Sequence, residues 1–208
     1  MILNKFTYNE EEHLGYYDGR LIPSITQLLE IEYPMVNVNE ELLKSSAEYG
    51  SNVHLDIENI VNGELPATEE GCMYQALCNA YKLKQIGSEE LVFIIDIKTE
   101  EPIAYGHLDA IMLSTEDTIF ANNGDTILCD FKTCNTINRK KVEKQCNLYN
   151  LARKQTYGLE VDKLCCMQLK DKDNKAKIYR LNRWELEQVY SYCLTLKEKW
   201  QERAKNEH

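Results

Sequence analysis

The chain has 208 residues, 43% of them hydrophobic, so it can bury one substantial core but is too short for two full domains. Its formal net charge of -10 argues against a general nucleic-acid coat protein, which needs a basic surface. No apolar run approaches membrane-spanning length, and Asn4 and Lys5 follow the first three residues too soon for a signal sequence. We expect a single-domain cytoplasmic protein with no membrane partner, whose eight cysteines are reduced thiols.

Residues 1–38 are predicted to form a lead-in to the main core. Residues 16–22 have the pattern of a short hairpin that turns at Asp18 and Gly19, and a helix is predicted to start at Ser24. A second helix begins after Asn39, whose side chain can cap it. The apolar stripe of this second helix runs through Leu43, Ala47, Gly50, His54, Ile57 and Val61.

His54 lies within this apolar stripe. A histidine on an apolar helix face is more often a satisfied core residue than a ligand. Gly50 precedes it by one turn and costs roughly 1 kcal/mol inside a helix, which suggests close packing or the rim of a cleft at that turn. His54 is therefore a candidate for a functional site as well as for the core.

Residues 39–182 are predicted to form the main core of the domain, and residues 183–208 a closing amphipathic helix. After the helix that carries His54, the sequence predicts a further helix, a three-stranded meander, a long helix and a final hairpin. The bounds are 69–86 for the helix, 91–97, 103–113 and 127–132 for the meander, 138–157 for the long helix, and 163–169 and 177–181 for the hairpin.

The second and third strands of the meander carry acidic side chains that can meet. Side chains alternate between the faces of a strand, so Asp130 and Lys132 project together. The same alternation gives two sets in the strand before: on one face Tyr105, His107 and Asp109, and on the other Ala104, Leu108 and Ala110. If the strands are neighbours, Asp109 and Asp130 converge and need a cation, and their hard oxygen ligands favour Mg²⁺ or Mn²⁺ over zinc.

The Asp130-Phe131-Lys132 sequence also has an ordinary explanation. An Asp-x-Lys tripeptide occurs by chance in a chain this charged, and most such pairs are solvated on the surface. Here, however, the two charges close an apolar strand that is expected to be buried, and buried charges need partners or a ligand. This context favours a functional site.

One stripe of the helix at 138–157 contains Val142, Gln145, Tyr149 and Ala152. Leaving the Gln145 amide unpaired in a core would cost on the order of 1–3 kcal/mol. The amide is therefore satisfied by the core, or it faces a ligand with Tyr149 beside it.

Four cations lie early in the same helix: Arg139, Lys140, Lys141 and Lys144. A run of charge is usually a solvated face. Three cations in a first helical turn nevertheless oppose the helix dipole, at a cost of roughly 0.3–1 kcal/mol each. That cost is understandable if phosphate groups approach this end of the helix, so the four residues are candidates for nucleic-acid binding.

With these residues placed, the chain resembles the PD-(D/E)xK nuclease superfamily, in its RecB-type exonuclease branch and particularly its small phage-encoded members. The similarity covers roughly residues 16–182. Four motifs carry it in the family's order: Gly50-Ser51-Asn52-Val53-His54, Gly106-His107-Leu108-Asp109, Asp130-Phe131-Lys132-Thr133 and the QxxxY pair Gln145 and Tyr149. The segment 19–26 resembles the lead-in of the phage proteins. The acidic residue of the third motif is an aspartate, which the family pattern allows.

This resemblance implies a restriction-endonuclease-like core of the α/β (α+β) class, with a central mixed sheet flanked by helices. It implies a Mg²⁺ or Mn²⁺ dependent DNA nuclease, more often an exonuclease than an endonuclease, that serves phage DNA replication, recombination or processing. One or two ions would be bound by His54, Asp109, Asp130 and the Phe131 carbonyl. Lys132 would orient or activate the attacking water, and Gln145 and Tyr149 would position that lysine or the DNA strand.

Some nucleases of this type carry an iron–sulfur cluster on one early and several late cysteines. Cys72 or Cys78 with Cys165, Cys166 and Cys193 match this only superficially, because Cys165 and Cys166 are adjacent on a strand and point to opposite faces. We do not expect a cluster. Besides DNA, the resemblance allows a phage single-strand-binding or annealing protein as a partner, and a ring of identical subunits.

Two other hypotheses stay open at this point. The chain could keep the nuclease fold without useful catalysis and act as a DNA- or protein-binding module through its acidic surface. It could also be an unrelated α/β domain, in which case His54 would lie far from Asp109 and Asp130. Digestion polarity, single- versus double-strand preference and the number of ions do not follow from the sequence.

Overall fold

The computed structural model describes residues 2–9, 14–34 and 39–206. A short 3-10 helix, Ile2–Lys5, precedes a small antiparallel sheet of three strands, and a larger sheet of five strands forms the centre. The strands of the small sheet are β1 (Phe6–Asn9), β2 (Leu14–Tyr17) and β3 (Arg20–Ile22). Those of the large sheet are β4 (Leu83–Ile95), β5 (Pro102–Ser114), β6 (Thr126–Lys132), β7 (Lys163–Gln168) and β8 (Lys177–Leu181). The helices are α1 (Ile25–Glu30), α2 (Glu40–Val61), α3 (Glu69–Tyr81), α4 (Arg139–Tyr157) and α5 (Leu186–Asn206).

The large sheet has the strand order β4-β5-β6-β7-β8. Only β6 and β7 run parallel, and α4 makes the crossover that a parallel pair requires. All other neighbours are antiparallel. The predicted α+β architecture, a central mixed sheet flanked by helices, is confirmed.

Two hydrophobic clusters cover the faces of this sheet. Leu108, Leu128 and Cys166 pack with residues of α1, α4 and α5. On the opposite face, Cys129 and Cys165 pack with residues of α2 and α3. Adjacent Cys165 and Cys166 therefore point to opposite faces, as the strand pattern predicts.

One detail of the predicted alternation is wrong. Ala110 packs with the α2 and α3 cluster, whereas Ala104 and Leu108 pack with the other cluster. Strict alternation would have kept all three on one face. The change of face occurs at Asp109, the residue between Leu108 and Ala110.

The lead-in hairpin and both early helix starts are confirmed. Asp18 and Gly19 have positive φ angles of 51° and 75°, as a two-residue hairpin turn requires. Ser24 caps α1 in a reciprocal pair of hydrogen bonds with Gln27, and Asn39 caps α2. Strand β1 was not predicted. The side chain of Leu43, assigned to the apolar stripe of α2, lies outside the described part of the chain.

The predicted helix at 69–86 is too long. It ends at Tyr81, and Lys82 adopts a left-handed conformation with φ 56° before β4 begins at Leu83. Leu83 and Gln85 are buried while Lys84 and Ile86 are exposed, which is the alternation of a strand. The predicted strand at 91–97 is therefore only the second half of β4.

Helix α4 also bonds to the backbone of β4, which is an edge strand of the large sheet. Thr156 Oγ1 accepts from the Phe93 amide at 2.8 Å, and Gln155 Oε1 accepts from the Ile95 amide at 2.8 Å. The Tyr157 hydroxyl donates to the Leu91 carbonyl at 2.7 Å.

No helix in the described ranges combines the length and apolar character of a membrane span.

Candidate active site

Asp109 and Asp130 lie on neighbouring strands. The β5–β6 register pairs Ala110 with Cys129, and the two aspartates follow directly beyond that pair. The Phe131 amide donates to Asp109 Oδ2 at 2.6 Å, which fixes the Asp109 carboxylate against the end of β6. Asp130 is almost fully buried, with 1% of its surface exposed. The structure thus brings the two predicted acids to one place.

The electrostatics of this place are unfavourable for two free carboxylates. Burial, and then the negative charge of Asp130, raise the pKa of Asp109 to about 7, although Lys132, His54 and the Phe131 amide act in the opposite direction. Asp130 Oδ2 is buried, and although Lys132 Nζ lies 2.7 Å from it, no contact to it in the described residues has hydrogen-bond geometry. The site therefore concentrates negative charge that a cation could compensate.

Lys132 forms an ion pair with Asp130. Its Nζ lies 2.9 Å from Oδ1 and 2.7 Å from Oδ2. Burial alone would lower the pKa of Lys132, but the charges of Asp130 and Asp109 outweigh burial and hold that pKa above its ordinary value. Lys132 is thus an ammonium at neutral pH, which can donate hydrogen bonds and balance negative charge but cannot accept a proton.

His54 reaches the site from α2. Its side chain is 30% exposed, and its ring packs edge-on against Phe131 with centroids 5.8 Å apart. Nδ1 lies 3.1 Å from Glu89 Oε1. Burial lowers the pKa of His54, but Glu89 and Asp109 outweigh burial, so the net pKa is raised. His54 therefore faces charged groups as well as an aromatic ring.

Glu89 was missed by the sequence analysis. In the described residues, one group of potential metal ligands has atoms that all lie within 4.8 Å of one another, and it consists of His54, Glu89 and Asp109. Asp130, predicted to complete the set with His54 and Asp109, is not in this group. Glu89 was overlooked because it lies between the overlong predicted helix and the shortened strand. The alternation at residues 83–86 is the signal that could have placed it in a strand.

Tyr149 and Gln145 of α4 meet at the same end of the sheet. Gln145 Nε2 donates to the Tyr149 hydroxyl at 3.3 Å. Burial, and then the charge of Asp109, raise the pKa of Tyr149, which therefore remains a neutral phenol. Gly106 lies beneath the tyrosine ring, since a Cβ at Gly106 would be 2.5 Å from Tyr149 Cε1. The glycine before Asp109 thus makes room for the tyrosine of the QxxxY pair.

This close contact gives a testable difference between two glycines. Gly106→Ala should destabilise the protein by about 1–3 kcal/mol, because the new methyl group overlaps the buried Tyr149 ring. Gly50→Ala should instead be neutral or stabilising by up to about 1 kcal/mol, because a Cβ there meets only Thr133 Oγ1 at 3.9 Å and alanine favours helix. Chemical denaturation of both variants measures the difference; equal stabilities would contradict the packing assigned to Gly106.

Of the two expectations for Gly50, close packing is wrong for the described residues, whereas the rim of a cleft agrees with Ser51 and His54, which line a cavity. Nothing but Thr133 Oγ1 lies within 4 Å of a Cβ built at Gly50. The position is instead half-buried beside the loop that follows β6.

The four predicted DNA-binding cations have different surroundings. The Arg139 guanidinium lies 5.0 Å over the ring of Tyr179. Lys140 is exposed and Lys141 is half-buried. Lys144 forms a 2.6 Å ion pair with Glu32 and is 17% exposed, so its charge is already compensated. The other three cations, Arg139, Lys140 and Lys141, lie in the first turn of α4.

A cavity of about 320 Å³ opens beside the acidic groups. Asp109, His54 and Glu89 form one side of it, and Leu55 and Phe131 provide apolar surface. Its remaining lining residues are Ser51, Ile57, Glu58, Gln85 and Ser88. The candidate ligands are therefore accessible to a small polar group that enters from solvent.

The comparisons with known proteins bear on the fold alone. No protein-family model matches the chain, and no curated protein matches it. Among solved structures, the crystal structure of SSO0001 is similar, with a TM-score of 0.50 and 14% sequence identity. The similarity covers 86% of this chain and 76% of that protein. At this identity it supports the architecture of sheet and helices and carries nothing about activity.

Proposed function

We propose that this protein is a deoxyribonuclease that hydrolyses phosphodiester bonds with Mg²⁺ or Mn²⁺. The observation that carries the proposal is the meeting of Asp109, Asp130 and Lys132 at one end of the sheet, with His54 of α2 facing the same end. Two acids, one permanent cation and an imidazole suit a metal-assisted hydrolysis better than a general packing role.

The residues fit a divalent ion on physical grounds. Burial, and then the nearby negative charge of Asp130, raise the pKa of Asp109 to about 7. The buried Oδ2 of Asp130 is contacted by Lys132 Nζ at 2.7 Å and by no group with hydrogen-bond geometry in the described residues. Carboxylate oxygens with an imidazole nitrogen are a donor set suited to Mn²⁺ and, through the oxygens, to Mg²⁺. Asp109, Asp130 and His54 would hold the ion, with the Phe131 carbonyl added by the family resemblance.

A bound ion would lower the pKa of a water ligand and balance charge on phosphate oxygens. Lys132 would donate to the attacking water or to a phosphate oxygen, because its ammonium is fixed against Asp130 and retains its proton. Tyr149 is a neutral donor beside these groups, and Gln145 holds its hydroxyl. The exposed cations in the first turn of α4 would contact the DNA backbone.

The family resemblance favours exonuclease action on phage DNA. Digestion of end-labelled linear DNA and closed circular DNA side by side tests this choice. We expect linear DNA to be degraded with Mg²⁺ or Mn²⁺, the circle to survive, and EDTA to stop the reaction. Degradation of both forms would indicate an endonuclease, and absence of hydrolysis with either metal would contradict the proposed function.

A second candidate is a nuclease-fold protein that binds DNA or a protein without useful catalysis. The net charge of -10 and the compensation of Lys144 by Glu32 favour its protein-binding form, because both weaken attraction to DNA. In that case the protein would cleave neither form of DNA in the same experiment.

A further inference from the structure

Glu89 lies directly across the sheet from Asp109. In the β4–β5 register, Ser88 pairs with Ala110 and Glu90 pairs with Leu108, so Glu89 falls opposite Asp109. It also lies 3.1 Å from His54 Nδ1. Glu89 therefore sits between a residue of β5 and a residue of α2 that the proposed function already assigns to the metal.

The spacing of these three groups suits one ion. Their candidate ligand atoms lie within 4.8 Å of one another. A divalent ion of this type binds oxygen at about 2.0–2.2 Å, so ligands of one ion are typically about 3–4 Å apart. Small side-chain movements bring the three atoms into that range. Glu89 is 51% exposed and lines the cavity, so its carboxylate is free to make such a movement.

The backbone on both sides of Glu89 is held in place. Glu90 forms an ion pair with Arg153 of α4, with Nε 2.7 Å from Oε2. Gln85 Nε2 donates to Ser88 Oγ at 2.7 Å, and the Tyr74 hydroxyl donates to Gln85 Oε1 at 2.7 Å. These contacts hold the residues before and after Glu89, whose own side chain lines the cavity.

Glu89 also adopts an unusual backbone conformation. Its φ of 47° is in the left-handed region, which costs a residue with a Cβ roughly 1–2 kcal/mol. The register of β4 against β5 shifts between Gln85 and Gly87, two residues before it. Bulges of this kind re-aim side chains in a strand. The strand is thus distorted where it presents a carboxylate to His54 and Asp109.

We propose that Glu89 is a metal ligand that binds the same ion as Asp109 and His54. This inference rests on the proposed function. The competing explanation is a partly exposed ion pair between Glu89 and His54, which would contribute little and involve no ion. The difference between the two is whether the charge of Glu89 is needed to bind a cation.

Mn²⁺ binding without DNA separates the explanations. Glu89→Gln keeps an amide oxygen that can accept a hydrogen bond from His54 but removes the charge of the ligand. We expect Mn²⁺ to bind at least 10-fold more weakly to this variant, measured by calorimetry and by the electron paramagnetic resonance signal of free Mn²⁺. Glu58→Gln, a neutralised acid in the same cavity, should stay within twofold of the unmodified protein.

Each outcome decides one question. Mn²⁺ affinity of Glu89→Gln within twofold of the unmodified protein would overturn the ligand role and leave the proposed function standing. An unmodified protein that binds no Mn²⁺ at millimolar concentration would contradict the proposed function itself. Glu89→Asp, which keeps the charge on a shorter side chain, should bind Mn²⁺ more tightly than Glu89→Gln, and circular dichroism should show that all variants are folded.

Discussion

Lys132→Met should reduce DNA hydrolysis at least 1000-fold while the protein remains folded. The substitution keeps the aliphatic stem but removes the ammonium that lies 2.7–2.9 Å from the Asp130 oxygens. In the proposed function this ammonium donates to the attacking water or to a phosphate oxygen, and the substitution removes that donor and its charge. The rate under saturating Mn²⁺ is the measurement, because it separates the loss of chemistry from a change in metal affinity.

The same substitution should also show how the site balances its charges. Asp130 is 1% exposed, and removal of its partner leaves a buried carboxylate, which destabilises the metal-free protein by roughly 3 kcal/mol. Added Mn²⁺ should restore part of this loss, because the ion replaces the missing cation. Lys84→Met, at an exposed position of β4, serves as the control and should change neither rate nor stability. An undiminished rate of hydrolysis by the Lys132→Met variant would remove Lys132 from the proposed site.

Asp109→Asn should abolish metal-dependent hydrolysis and yet make the metal-free protein more stable at neutral and alkaline pH. The pKa of Asp109 is about 7 in the folded protein against an ordinary value of 3.8. Between these values the folded state binds more protons than the unfolded state, so the metal-free protein loses stability as pH rises from about 4 to about 7. Asparagine cannot ionise, and this loss should disappear.

Asp109→Asn should raise the free energy of unfolding of the metal-free protein at pH 8 by about 2–4 kcal/mol, because one pKa unit corresponds to about 1.4 kcal/mol. Denaturant unfolding in EDTA at pH 4, 6 and 8 measures it. Asp171→Asn is a control with the opposite pH dependence. Lys177 lowers the pKa of Asp171 to about 2, so the charge of Asp171 stabilises the fold above pH 4. That contribution to stability is lost as pH falls towards 2. Equal stability of Asp109→Asn and the unmodified protein at pH 8 would contradict the raised pKa of Asp109 and the burial and repulsion assigned as its causes.

Most of the central sheet could be predicted because its strands have distinct patterns. The apolar run before Lys132 and the turn residues around Gly124 bound β6 closely, and Gly158 ends α4 in a left-handed conformation. The boundary between α3 and β4 was harder, since residues 83–86 contain apolar side chains that also continue a helical stripe. Lys82 ends the helix without a glycine or proline to mark it.

The candidate site could be predicted only in part for a related reason. Asp130 and Lys132 follow from strand periodicity, whereas the alternation of β5 changes face at Asp109. Glu89 depends on a distortion of β4 that no local pattern announces. The pairing of Lys144 with Glu32 joins residues 112 positions apart, and such contacts are set by tertiary packing. Likewise, the fit of Gly106 under Tyr149 becomes visible only when α4 lies on β5.

The last turn of α4 has a consequence for how molecules of this protein meet one another. Edge strand β4 turns backbone groups of Leu91, Phe93 and Ile95 away from β5. These groups form hydrogen bonds with the side chains of Tyr157, Thr156 and Gln155, respectively. An unoccupied border would offer those groups to a strand from a neighbouring molecule. Because side chains of the same polypeptide already bond to these groups from Leu91 to Ile95, this stretch of the edge is a poor template for pairing with a strand of a neighbouring molecule.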